Sequence, residues 1–343
     1  MSTLYLNREK AKQWTRVQQK QYRENHIRRQ SSIKDFSILA ANAGYNPDDA
    51  YRVVDDMAVD VMNPIGEFAT YFRLNAVAKS VDVGVLDYTY RQRSQMVGGT
   101  VSLSGQTGII TDAVEYKNAG TVMPVIDFGS KRDWRETKTA SREGLDVLAD
   151  DAEEAELTAL RTANKYMWNG DAKVKSPDGR VWLGIKGDPS LLQETTSLDM
   201  ANAATTAKQI VNEITVKRDL LRITNNCSNP LELAISQEMM SYWESLPYSI
   251  NDKGFGTVLS YVEGLKGIAS VYEDPELSGG KQFMMAYINR RGLHAVTGQA
   301  MSSYMKQRFD HNDPFILIKW MIQGFIAKSD FVGQKCAMYV KAA

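Results

Sequence analysis

Residues 136–168 read ETKTASREGLDVLADDAEEAELTALRTANKYMW. Leu145, Leu148, Ala152, Ala155, Ala159, Ala163 and Met167 recur at gaps of three and four, so they share one face of a helix. One helix over the whole stretch would be about 50 Å long at ~1.5 Å per residue. Its acids come early: Glu143, Asp146, Asp150, Asp151, Glu153, Glu154 and Glu156, with no Lys or Arg among them. Arg161 and Lys165 come late, an order that suits the helix macrodipole. Taken alone, this is an amphipathic helix with a solvated acidic face. Its setting says more: a β-rich segment precedes it, a mixed α/β segment follows, and the later chain returns to strands.

The N-terminal side is basic. Residues 8–34 hold nine Lys or Arg and two Glu, a net charge of +7, and few aliphatic side chains. Such a segment cannot bury much surface by itself. It reads as an arm that lies on a neighbouring chain or faces a polyanion, with Arg16, Arg23, Arg28 and Arg29 as its contact candidates. Asn46-Pro47-Asp48-Asp49 signals a helix start, and Asn63-Pro64-Ile65-Gly66 a turn.

From about Phe68 to Trp134 the pattern is β. Val81, Val83 and Val85 alternate with polar or small residues, Tyr88 and Tyr90 continue, and Gly98-Gly99 interrupts. Arg91, Gln92, Arg93, Ser94 and Gln95 are too polar for a core. The segment reads as a long projecting hairpin, which is marginal in water unless it lies on a surface. Arg91, Arg93 and Gln95 are therefore candidate intersubunit contacts. Val122–Phe128 reads as a strand leading into the long helix.

Beyond the helix, Asn169-Gly170-Asp171 and Ser176-Pro177-Asp178-Gly179 are turn chemistry. Residues 205–300 alternate helix and strand. Ile210, Ile214, Lys217 and Leu221 share a helical face, Pro230–Ser236 is a strand, and helices cover Gln237–Leu246 and Thr257–Leu265. Strands follow at Ile268–Tyr272, Phe283–Ile288, Phe315–Ile326 and Ala337–Lys341.

Composition bounds the function. The chain has 343 residues, 43% apolar and 24% charged, with 41 basic and 41 acidic side chains. It is globular, without a global pull toward nucleic acid. Cys227 and Cys336 are the only cysteines, far apart, which argues against a disulfide scaffold and a zinc site and suits a reducing cytoplasm. No apolar run approaches the ~20 residues of a membrane span. No phosphate-loop, nucleophile-elbow, dinucleotide or zinc-protease motif is present. Ser31 with Lys34 has no partner motif, and Asp310-His311-Asn312-Asp313 reads as a polar turn rather than a metal site. No catalytic residue, cofactor or metal is expected.

The order basic arm, projecting hairpin, long helix, compact α/β unit and closing strands resembles the major capsid protein of tailed bacteriophages, the Hong Kong 97 type capsid fold. Pro124-Val-Ile-Asp-Phe-Gly resembles the entry to that family's spine helix, and Trp168-Asn-Gly-Asp with Trp182-Leu-Gly-Ile its exit. Asn229–Met239, Glu273–Leu277 and Phe283–Ile288 resemble its axial domain, and Phe331–Val340 its closing hairpin. The resemblance implies an α+β fold with arm 1–66, extended loop 67–121, peripheral domain 122–200 and 305–343 with spine helix 136–168, and axial domain 201–304. It implies a structural, non-enzymatic subunit that self-assembles as pentamers and hexamers into an icosahedral shell around double-stranded DNA. About 60 residues before the hairpin are too few for a built-in scaffolding segment, so the resemblance implies either a separate scaffolding protein or a mature chain; a portal, a decoration protein and non-specifically held DNA are the other implied partners. Its place would be the virion, after assembly in the host cytoplasm, with no membrane. Two other readings are an encapsulin-like compartment and a soluble α/β enzyme. Two expectations concern the long helix: its acids face away from the genome or meet bases of a neighbour, and Ala152→Leu overpacks at ~1–3 kcal/mol.

Overall fold

Phe283, Met284, Met285 and Ala286 are all buried, and successive side chains enter two different cores. That is what period-two geometry demands of a strand covered on both faces. The computed structural model describes residues 63–99, 101, 103, 111–142, 146–248 and 256–343, all in the unit Val61–Ala343. Arg16, Arg23, Arg28, Arg29, Ser31 and Lys34 lie outside the described residues.

The elements run α1 (Ala69–Ala76), β1 (Lys79–Ser80), β2 (Asp87–Arg93), β3 (Tyr116–Val122), β4 (Val125–Arg132), α2 (Trp134–Arg142), α3 (Val147–Asn169) and β5 (Leu192–Thr196). Next come α4 (Ala207–Asp219) with a π turn (Leu220–Thr224), β6 (Leu231–Ile235), α5 (Gln237–Ser245), β7 (Pro247–Tyr248), β8 (Gly256–Thr257) and α6 (Val258–Glu263). Strands β9 (Ile268–Glu273), β10 (Phe283–Ala286), β11 (Leu293–Met305), β12 (Phe315–Ala327) and β13 (Ala337–Ala342) complete the chain.

One sheet has the order β5-β13-β10-β6-β9. Its outer pairs are parallel, while β10 runs antiparallel to both neighbours. Leu233, Ile235, Phe283, Met285, Met338 and Val340 point to α4, α5 and α6, against Ile210, Ile214, Met239 and Trp243. Ala234, Met284, Ala286 and Tyr339 point the other way, to Leu74, Met167, Trp168, Trp182 and Phe325. Lys217 sits on the buried face of α4 because its ammonium donates to Glu194 Oε2 at 3.1 Å and to the Thr195 carbonyl at 3.0 Å. The second sheet is β1-β11-β12-β4, with α3 packed on β4 and β12.

Several expectations are corrected. Residues 136–168 are not one helix. α2 ends at Arg142, and Asp146 starts α3 afresh by accepting the Ala149 N–H at 3.2 Å. Gly144, between them in sequence, disfavours helix by about 1 kcal/mol relative to alanine. α3, with 23 residues, buries Ala155, Ala159, Ala163 and Met167 as the stripe requires. The β pattern does not begin at Phe68: Ala69–Ala76 is helical, burying Thr70, Tyr71 and Leu74. Val81, Val83 and Val85 do not form a strand, because Asp82 Oδ1 accepts the Gly84 N–H at 3.2 Å and closes a turn. Val122–Phe128 is two strands, parted at Met123-Pro124, where proline offers no N–H. Strand β13, grouped in sequence with 305–343, lies inside the five-stranded sheet, and β11 runs to Met305 in the other sheet. Finally, Cys227 and Cys336 are joined as a disulfide with Cα atoms 5.4 Å apart. Their separation of 109 residues gave no sign of this, because sheet topology alone brings them together.

The exit of α3 needs glycine twice. Gly170 and Gly184 have φ of 63° and 77°, and their backbones touch. A Cβ on Gly170 would strike the Trp182 carbonyl oxygen, and one on Gly184 the Trp168 carbonyl oxygen.

Candidate functional site

The candidate surfaces lie around the β2–β3 hairpin, which pairs in register from Asp87↔Val122 to Arg93↔Tyr116. Tyr88, Tyr90 and Gln92 pack toward the body, while Thr89, Arg91 and Arg93 are exposed. Tyr88 is buried against Met123, Val296, Ile322 and Ile326. The Tyr90 hydroxyl accepts the Ser329 N–H at 3.0 Å, and Gln92 Nε2 donates to the Ser329 carbonyl at 3.0 Å. Arg180 donates to Asp87, whose carboxyl burial nonetheless pushes up. Lys117 Nζ lies 4.1 Å from the Phe331 ring centroid. The base of the hairpin is thus seated on its own chain.

Its far part is different. Ser94 N–H donates to the Glu115 carbonyl at 2.9 Å, and Val97 N–H to Asp112 Oδ2 at 2.8 Å. Val101 and Leu103, at 100% and 110% exposure, lie wholly open to solvent, with Met96 and Val97 exposed beside them. A signal that the strand pattern does not carry is four apolar side chains spread around a Gly-Gly, with no strand paired to them among the described residues.

The predicted contacts Arg91, Arg93 and Gln95 are all exposed, and none of the three forms an ion pair with another described residue. Arg91 and Arg93 line an open cleft of about 440 Å³ with Arg291, Lys328, Asp330, Asn225 and Cys336. Gln95 lies further along the hairpin. Periodicity could not reveal this cleft, since its walls come from four distant segments.

The helix acids meet partners within their own chain. Asp151 accepts from Arg132 Nε at 2.9 Å, Glu156 from Lys319 at 2.8 Å and Glu154 from Arg161 at 3.2 Å. Asp146, Asp150 and Glu153 remain exposed. His294 is fully buried, and burial first, then Lys328, lowers its pKa to about 4. At Asp310–Asp313, the Asp313 carboxylate accepts the N–H groups of Phe309 and Asp310, each at 3.0 Å, as a polar turn does. Among the described residues no three His, Cys, Asp or Glu side chains group to hold a metal ion, and no helix is long and apolar enough to cross a membrane.

This architecture is the α+β Hong Kong 97 type capsid fold. The capsid of Myoviridae phage XM1 is similar with a TM-score of 0.65 and 10% identity, covering 88% of this chain and 100% of that one. The capsid of the native GTA particle has a TM-score of 0.56 and 13% identity over 89% and 98%. A chain of Gordonia phage Cozz has a TM-score of 0.56 and 11% identity over 85% and 91%. No curated protein matches the sequence. The model of a family of unknown function, DUF6260, matches residues 39–340, and the chain belongs to that family.

Proposed function

We propose that this chain is the major capsid subunit of a tailed bacteriophage. Copies of it build a closed icosahedral shell around double-stranded DNA, and its role is structural rather than catalytic. One observation carries the reading: the likeness spans 100% of a phage capsid subunit. Beside it, Val101 and Leu103 at the far part of this chain's hairpin are covered by no described residue. Val101 and Leu103 gain about 1.5–3 kcal/mol each if covered, and a neighbouring copy is the surface a shell supplies.

The +7 arm supplies charge suited to DNA, which draws cations without regard to sequence. Arg91, Arg93 and Gln95 on the hairpin, and Arg16, Arg23, Arg28 and Arg29 on the arm, are the proposed contacts between subunits or with the genome. A separate scaffolding protein, a portal and a decoration protein complete the assembly, which forms in the host cytoplasm and ends in the virion.

Light scattering and negative-stain microscopy of the purified chain, alone and co-produced with its scaffold, test this. Closed particles of megadalton mass are expected. A monomer or small oligomer under both conditions would sink the proposal.

A further inference from the structure

Cys227 leaves the π turn through Asn226, which has a left-handed φ of 51°, and its side chain is 1% exposed. Cys336 precedes β13, is half-buried and lines the 440 Å³ cleft at the hairpin base. Of the two cysteines, Cys336 is the one that borders the cleft and is the more accessible. The approach is electropositive: Arg91, Arg93, Arg291 and Lys328 line the cleft, against Asp330 as its single carboxylate. None of the four cations forms an ion pair with a described residue. The volume falls within the ~300–1,000 Å³ of small-molecule sites.

We propose that Cys336, with Cys227 as its resolving partner, is a thiol–disulfide exchange site for a small anionic peptide thiol of the glutathione class. This does not depend on shell assembly.

The chemistry balances. A thiolate attacks Cys336 Sγ, and the bond to Cys227 breaks. Cys227 leaves as a thiolate and takes a proton. A second thiolate attacks the mixed disulfide on Cys336, releasing the small disulfide and the Cys336 thiolate, which is protonated in turn. Two small thiols are oxidised and one protein disulfide is reduced. Run backward, a small disulfide oxidises the two protein thiols. The four cations gather the anionic reagent, and the buried position of Cys227 directs attack to Cys336.

The test uses the oxidised full chain, reduced by glutathione, neutral mercaptoethanol or cationic cysteamine at equal thiolate concentration. Free protein thiols are counted by mass after acid quench. Glutathione should react about tenfold faster than cysteamine at low ionic strength, and the gap should close at about 1 M salt. Arg291→Gln with Lys328→Gln should slow glutathione several-fold and leave mercaptoethanol unchanged. Equal rates for the three reagents at low salt, or cysteamine fastest, would show a purely structural disulfide and overturn the proposal. Separately, with oxidised glutathione as the reagent, Cys227→Ser should gain a glutathione adduct on Cys336 with release of one glutathione thiolate, and Cys336→Ser should gain none. A comparable adduct on Cys227 overturns the assigned order of attack. Should those two variants fail to fold, the reagent series on the natural chain decides alone.

Discussion

Asp274 is fully buried where α1 meets the end of β9, and its carboxylate accepts the Thr70 N–H at 3.4 Å and the Glu276 N–H at 3.0 Å. Burial outweighs those bonds and raises its pKa from 3.8 to about 6. A raised folded value means the folded state holds its proton longer than the unfolded chain does. The stabilisation is complete below about pH 3.8 and is lost as pH rises through about 6. It amounts to about 2–3 kcal/mol at most. His294 works in the opposite direction, because its lowered value costs stability as pH falls from 6.5 toward 4. The difference between wild type and Asp274→Asn isolates the carboxyl. Urea unfolding of the unassembled subunit should show the variant gaining relative to wild type from pH 5 to pH 7; a flat difference would refute the assignment.

Ala152 gives a second test at this scale. It borders a cavity of about 100 Å³ with Leu148, Met305, Phe315 and Leu317, beside Ser130 and the Arg132–Asp151 ion pair, so it has room that the sequence stripe did not reveal. Ala152→Leu should fill it and raise stability by about 0.5–2 kcal/mol, reversing the overpacking expected from sequence. Ala159→Leu, at a position with no exposure, should cost about 1–3 kcal/mol. Glu154→Gln, an exposed partner of Arg161, should change stability by less than about 0.5 kcal/mol. Thermal melting of the three variants separates these outcomes.

Among the elements, the hairpin divides into a seated base and an open end. Val101→Asp with Leu103→Asp should leave subunit melting unchanged, because neither side chain touches the body, and should abolish closed particles in micrographs. Normal particles from that variant would remove the hairpin end from assembly. What the sequence revealed at this scale follows burial. β6, β9, β10 and α4 to α6 were legible because each buries a full face of one periodicity. The break before α3 was not, since alanine, leucine and glutamate carry a helical pattern across a cap that only Asp146 marks. α1 was misread because Phe68–Ala76 combines β-favouring aromatics with helix formers, and its contact with Asp274 decided the outcome.

For the whole molecule, order along the chain was enough to suggest the architecture, while surfaces built from distant segments were not readable. The cleft draws on residues 90–93, 225–226, 291 and 328–336, and the disulfide ties Cys336 in the last of these to Cys227, next to Asn226. Removing residues 2–34 should leave subunit melting nearly unchanged and reduce particle yield by electron microscopy; lost subunit stability with normal yield would contradict the arm's assembly role.

The place of β13 has a consequence for synthesis. It pairs Met338 with Leu192 on one side and with Met285 on the other. The ribosome therefore releases four strands of this sheet before the one that belongs between them. Until residues 337–342 emerge, β5 lacks its one ladder partner among the described residues and β10 carries a bare edge, the condition under which nascent chains join wrongly. Translation itself sets the moment at which this half of the subunit can close.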